Sequence, residues 1–284
     1  MEGTIDMAPT WNPGQYARYA DQRDRPFHEL LARVGARDPQ LVVDLGCGNG
    51  PLTLGLAQRW PNARIVGVDS SPDMLAAARE LDVAGLVEWL EADLTGWAPD
   101  TLGQAPNVVV SNATLQWLPD QPTLLRRWLA ALAPDGWLAI QLPGNLTAPS
   151  HALMREVADG HARAVELRSA QSRFWVADPA AYLAVLAEAS PGQPAAAVDA
   201  WETTYLQVLD EPPGGAHPVL EWVRGTGLRP VLDLLTDPDE RAAYLEPYAA
   251  ALEAAYPRTP FGVVYPFRRI FAVAHRHADP AVAS

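Results

Sequence analysis

The chain has 284 residues, 49% hydrophobic and 19% charged, enough to bury a core in one large or two modest domains. Its formal charge of −13 and pI near 4.8 lack the basic footprint that nucleic acid or an anionic membrane surface demands. All 21 basic residues are Arg, which excludes a lysine nucleophile or Schiff base, and the single Cys47 excludes an intrachain disulfide and suits a reducing compartment.

In chain order, Met1 to Thr10 reads as a loose start, and WNPGQYARYADQRDRPFHELLARVG follows. Phe27, Leu30, Leu31 and Val34 recur there at helical spacing, with Pro26 suited to a first-turn position. Leu41 to Leu45 is a short apolar run of the kind that forms a buried parallel strand. Gly46, Gly48 and Gly50 follow it, where the lack of a Cβ permits tight turning and close approach to a ligand. Pro51 to Trp60 predicts a helix whose free backbone NH groups face the loop. Ile65 to Val68 predicts the returning strand, delivering Asp69 about 20 residues after the loop, where an acid can bind ribose hydroxyls. Ser71 caps a helix with Pro72 in its first position. Further strands are expected at Leu86 to Leu90, Asn107 to Ser111 and Trp137 to Leu142, with a helix over Thr123 to Ala133. This alternation predicts a Rossmann-like, doubly wound, mostly parallel α/β sheet.

After the fifth strand the pattern changes. Helices are expected over His151 to Arg168, Asp178 to Ala189, His217 to Thr226 and Asp237 to Tyr256, and a strand over Val198 to Leu209 follows the Pro/Gly/Ala stretch from Ser190. Phe261 to Ala274 reads as a strand interrupted at Pro266. The expected organisation is an α/β core at 11–145, a helical lid and substrate region at 146–260 inserted after the fifth strand, and final sheet strands at 261–277. No signal peptide is expected and no apolar run approaches about 18 residues, so a cytoplasmic location is expected.

The glycine spacing discriminates between ligands. A dinucleotide fingerprint would require Gly or Ala where Pro51 stands, and Asp44, at the end of the first strand, would repel a pyrophosphate and attract a cation. Glu91, Ala92, Asp93 at the third strand end place Asp93 to accept from an adenine amino group. In SNATLQWLPD, Asn112 leaves the fourth strand toward the same loop, and Gln116 or Trp117 can wall a pocket there. The six histidines, His28, His151, His161, His217, His275 and His277, have no metal spacing, and no metal is expected.

The Asp-x-Gly-x-Gly-x-Gly spacing resembles the class I S-adenosyl-L-methionine-dependent methyltransferases. Taken with WNPGQYARYADQRDRP, VGVDSSPDML, EADL, SNATLQWLPD, HALMREVA, WVRGTGLRP and YPFRRIFAVA, the chain resembles the trans-aconitate 2-methyltransferase family from Trp11 to Arg276. The loop departs from the family's usual GCGPGN, with Asn49 before Gly50 and Pro51 after it. The resemblance implies S-adenosylmethionine contacts from Tyr16, Asp44, Gly46, Gly48, Asp69, Ser70, Met74, Asp93, Leu94, Asn112 and Ala113. It implies monomethyl esterification of trans-aconitate, with no obligate protein partner evident. A substrate with three carboxylates calls for bidentate cations, and Arg23, Arg25, Arg229 and Arg268 are the candidates beside Gln116 and Trp117, with Arg224 and Arg269 weaker ones. No acid or base residue is expected, because a carboxylate is already ionised at neutral pH. A methyltransferase for another small acid and a non-catalytic S-adenosylmethionine binder are the alternatives.

Overall fold

A computed structural model describes residues 20–172, 176–188 and 195–276, with side chains from residue 24 and, in the strand opening at 195, from 197. The expectations for Tyr16, His277 and the side chain of Arg23 fall outside this description. The elements of the first half are α1 (Ala20–Leu31), β1 (Leu41–Leu45), α2 (Pro51–Arg59), β2 (Arg64–Asp69), α3 (Pro72–Leu81), β3 (Val87–Glu91), β4 (Val108–Asn112), α4 (Gln121–Ala130) and β5 (Trp137–Pro143). The second half holds α5 (Pro149–Asp159), α6 (Ala164–Gln171), α7 (Pro179–Ala187), β6 (Ala195–Leu209), α8 (Pro218–Arg224), α9 (Arg229–Leu234), α10 (Pro238–Ala255), β7 (Arg258–Thr259) and β8 (Gly262–Arg276).

The strands form one sheet in the order β3-β2-β1-β4-β5-β8-β6, with β7 pairing β8. The pairs from β3 through β5 are parallel, and β8 runs antiparallel to β5. Every residue of β1 is buried, as expected for a strand covered on both faces, where an apolar run replaces alternation. The strand order reverses between β1 and β4, and in such sheets the crevice at the carboxyl ends beside that reversal is the ligand site.

The described chain divides into two compact units, one holding 20–144, 176–204 and 268–276, the other 145–172 and 205–267. The first is built on the sheet, with Val43, Leu45, Val109, Ile140 and Ile270 packed with Leu125 and Trp128 of α4. The second is mostly helical, and its core is rich in aromatics: Trp222, Tyr244, Tyr248, Tyr256, Tyr265 and Phe267. No helix of the described residues is long and apolar enough to cross a membrane.

Four local expectations are corrected. The helix read as His151 to Arg168 is two, because α5 ends at Asp159 with Gly160 as its C-cap and His161 Nδ1 accepts from the Arg163 amide at 3.1 Å before α6 begins. Pro26 lies inside α1 rather than in its first turn; burial of Phe27, Leu30 and Leu31 at 1%, 0% and 4% exposure outweighs the lost backbone bond. The strand read as interrupted at Pro266 is continuous. Pro266 lies beyond the last β5 pair, Pro143↔Arg269, so its missing N–H leaves no β5 bond unmade. α9 was not anticipated, although Pro230 in its first turn is an ordinary start signal.

Leu125 is fully buried against the sheet, so Leu125→Ala is expected to destabilise the protein by about 2–5 kcal/mol. Chemical denaturation of the two proteins checks this, and a loss under about 1 kcal/mol would contradict a close-packed core at α4.

Candidate active site

The site starts from one buried acid. Asp44, next to last in β1, is 3% exposed, and Thr53 Oγ1 in the first turn of α2 donates to its Oδ2 at 2.7 Å. Burial pushes its pKa from the ordinary 3.8 up to about 7; the Thr53 bond opposes the rise and the charge of Asp69 adds to it. A carboxyl held in this way is poised to be ionised by a cation placed beside it. Burial likewise pushes the Cys47 thiol up, which makes it an inert packing group.

The loop between β1 and α2 is left-handed at Gly46, Gly48 and Gly50, with φ of 78°, 56° and 91°. At Gly46 an added Cβ would lie 2.1 Å from Thr114 Oγ1, and at Gly50 it would lie 2.6 Å from the Trp89 ring. At Gly48 it would meet nothing within 4 Å. The first and third glycines are therefore demanded by neighbours as well as by backbone conformation, and the second by conformation alone. Gly48 N–H donates to Asp69 Oδ2 at 2.9 Å, and Ser71 N–H donates to Oδ1 at 2.9 Å. Asp69, at the end of β2, thus braces the loop it was expected to face. Ser71 caps α3, accepting from the Met74 amide at 3.3 Å; Met74 is buried and Ser70 exposed.

At the end of β3, Asp93 is exposed, and its pKa lies below the ordinary value because Thr95 donates to it from both hydroxyl and amide. Leu94 is buried in the sheet core. At the end of β4, Ala113 is a non-glycine residue with φ of 55°. That turn brings Thr114 Oγ1 within 3.3 Å of the Gly46 carbonyl, so the exits of β1 and β4 are clasped together. Gln116 Nε2 donates to the Ala113 carbonyl at 2.5 Å. Asn112 Oδ1 and Gln116 Oε1 are buried and have no hydrogen-bond partner among the described residues. Trp117 is half-buried in the same connection.

The acceptor candidates are less concentrated. Arg25 is exposed and pairs with Glu29 at 2.7 Å. Arg224 pairs with Glu221 at 2.6 Å. Arg229 pairs with Asp233 at 3.1 Å and belongs to the helical unit. Arg268 bonds Asp178 at 2.8 Å and also Glu202. Thr53, Trp89 and Thr114 shape the loop without having been singled out, since their contacts with Asp44, Gly50 and Gly46 depend on the fold and not on local spacing. Arg269, among the weaker candidates in the sequence, is the buried member of its pair, at 5% exposure.

Three left-handed glycines, a buried acid at the strand end and a second acid bracing the loop, all at a strand-order reversal, define a nucleoside site of the class I methyltransferase kind. The Methyltransferase domain family model matches residues 42–136. The trans-aconitate 2-methyltransferase of Streptomyces coelicolor is 47% identical over 95% of this chain and 88% of its own. That of Rhodococcus jostii is 48% identical over 93% and 98%. The chain belongs to the trans-aconitate 2-methyltransferase family. In fold it is similar to the YcgJ protein of Bacillus subtilis, with TM-score 0.57 and 11% identity over 90% of this chain and all of that one. It is also similar to a Haemonchus contortus phosphoethanolamine N-methyltransferase, with TM-score 0.51 and 16% identity over 90% of this chain and 53% of that one.

The residues present fit S-adenosylmethionine, the cofactor of this class: the Asn112 oxygen, without a hydrogen-bond partner among the described residues, and the destabilised Asp44 carboxylate both seek a donor or cation, and Gly48 leaves open space above the loop.

Two outcomes follow from the geometry. Gly46→Ala should weaken S-adenosylhomocysteine binding by about tenfold or more, since strain of this kind costs roughly 1–3 kcal/mol, while Gly48→Ala should cost the fold only about 1 kcal/mol; calorimetric titration and melting curves separate the two. Asp44 carries the second. Because its folded pKa is raised, its contribution to the ligand-free fold is fully present below pH 3.8 and lost as pH rises to about 7. A cationic ligand reverses that preference, so binding should weaken as pH falls below about 7, at most tenfold per unit. Asp44→Asn should abolish this pH dependence, bind S-adenosylhomocysteine poorly, and melt higher than the parent at about pH 8, by up to a free energy on the order of 4 kcal/mol.

Proposed function

We propose that this protein transfers a methyl group from S-adenosyl-L-methionine to a carboxylate oxygen of trans-aconitate, giving a monomethyl ester, in the cytoplasm and without an obligate protein partner. The observation that carries the reading is the family relation: 47% identity across 95% of the chain to a protein bearing that name, joined to a site whose buried acid favours a cationic nucleoside.

When bound, the cofactor supplies an electrophilic sulfonium methyl. Asp44, Asp69 and Asp93 are proposed to hold its ammonium, ribose and adenine amino groups, with Tyr16, Gly46, Gly48, Ser70, Met74, Leu94, Asn112 and Ala113 around them. Gln116 and Trp117 are proposed to wall the acceptor side. Arg23, Arg25, Arg268 and, in the helical unit, Arg229 are proposed as carboxylate partners; residues 146–260 are proposed to carry the acceptor selectivity. The acceptor carboxylate is ionised at neutral pH and is itself the nucleophile, so no side chain need remove a proton. The chain's contribution is alignment and exclusion of water.

The test is a methyl-transfer assay over small mono-, di- and tricarboxylic acids with mass detection of the ester. Turnover should be highest on trans-aconitate. No ester from trans-aconitate, with ester from another acid, would transfer the reading to that acid; no ester at all beside intact S-adenosylhomocysteine binding would leave a cofactor binder. In the same assay Arg25→Ala and Arg229→Ala should each raise KM for the acid with unchanged cofactor affinity, and unchanged KM in either removes that arginine from the acceptor site.

A further inference from the structure

Gln116 stands in the short 3₁₀ turn Leu115–Trp117 that follows β4. Its neighbour Leu115 packs into the sheet core, and Gln116 itself is 6% exposed. Burying an amide is costly unless both of its ends are hydrogen-bonded, and here only one is. Nε2 donates to the Ala113 carbonyl at 2.5 Å. That bond fixes the setting of the amide, because the reverse setting would press two oxygens together. Oε1 is left buried, with no hydrogen-bond partner among the described residues.

A second orphan of the same kind precedes it. Asn112 ends β4, and its Oδ1 is likewise buried and without a hydrogen-bond partner among the described residues. Asp44 pairs with Val110 in the register of β1 and β4. Residues two apart share a face, so Asn112 stands on the face of the sheet that carries Asp44, while Val43, Leu45 and Val109 fill the core on the other. The side-chain donors of this connection are spent inside it. Gln116 Nε2 goes to Ala113, and the Thr114 hydroxyl lies 3.3 Å from the Gly46 carbonyl and 3.2 Å from that of Asn112. The exits of β1 and β4 therefore present acceptors: the Asp44 carboxyl and two amide oxygens. An ionised substrate carboxylate has no proton to give them, and is the wrong partner for Gln116. An ammonium carries three N–H donors and a positive charge, which match one carboxylate and two neutral oxygens.

We infer that Gln116 Oε1, together with Asn112 Oδ1, accepts hydrogen bonds from the ammonium at the methionine end of the cofactor. This rests on S-adenosylmethionine being the ligand of the site, and it moves Gln116 from the wall of the acid pocket to the cofactor. The labour is divided: Asp44 answers the charge, and the amide oxygens take the protons that one buried carboxyl, already bonded to Thr53, leaves over. A thioether nucleoside without the amino group would meet two buried oxygens and give them nothing, so the turn after β4 discriminates against it.

The experiment compares the parent with Gln116→Met, which keeps the length of the side chain and removes Oε1. Each is titrated calorimetrically with S-adenosylhomocysteine and with its deaminated analogue, in which hydrogen replaces the amino group. Gln116→Met is expected to lose about tenfold or more in affinity for S-adenosylhomocysteine while binding the analogue as the parent does. A purely structural role would lower both affinities together, since the bond to Ala113 is lost whichever ligand is present. That outcome, or an unchanged affinity of Gln116→Met for S-adenosylhomocysteine, overturns the inference. Should the variant fail to fold, a crystal structure of the parent with S-adenosylhomocysteine decides the matter. Oε1 within hydrogen-bond distance of the amino nitrogen is the expected result, and Oε1 bonded to water or protein in its place overturns the inference. If the parent binds neither S-adenosylhomocysteine nor the analogue, it is the cofactor assignment beneath the inference that fails.

Discussion

The cost of burying Asp44 is the constraint around which the site is arranged. A carboxylate 3% exposed cannot stay charged on a single hydroxyl bond from Thr53, and Asp69 nearby makes matters worse. Left to itself the group drifts toward neutrality, at the expense of any role as an anion. A bound cation changes the balance, so the fold holds in reserve a charge that only the right ligand can make favourable. This explains why the loop above it needs no basic residue and why a pyrophosphate is the wrong occupant: the first offers nothing to an ammonium, and the second would oppose the acid.

The same sheet carries charges of both signs. The ends of β1, β2 and β3 present Asp44, Asp69 and Asp93, while β8 presents Arg269 inside. In a chain of formal charge −13, cationic recognition cannot come from a diffuse field and has to be local and desolvated. Arginine suits that need, since its guanidinium is weakly hydrated and keeps its charge when buried. Among the arginines considered for the acceptor, Arg25 is paired with Glu29, Arg229 with Asp233 and Arg268 with Asp178. These pairs are partly or largely exposed and contribute little to stability, but each lowers the field that its arginine can offer a ligand.

What was legible in the sequence was local. The apolar run of β1, the three glycines, Asp69 at the next strand end and the Ser71–Pro72 cap depend on spacings of a few residues, and the structure has them where spacing puts them. What was not legible depends on contacts between distant segments. Thr114 meets Gly46 across 68 residues, and no local pattern announces it. The difference in burial between Arg268 and Arg269 follows strand parity, which the sequence hides because residues 269 to 274 are all buried and show no alternation. The break at Gly160 and the continuity through Pro266 misled for a related reason: glycine and proline signal what a backbone can do, while packing and pairing decide what it does.

Trp89 adds an evolutionary consequence. Its indole lies where Cβ atoms on both Gly50 and Gly67 would fall, at 2.6 and 2.7 Å, and its Nε1 is held by Asp82 at 3.2 Å. One large side chain thus locks two distant small ones, so the order in which these positions can change is constrained. A smaller residue at 89 must come before a side chain at 67, and at 50 even that would leave the left-handed backbone to be satisfied, whatever acceptor the rest of the protein comes to favour.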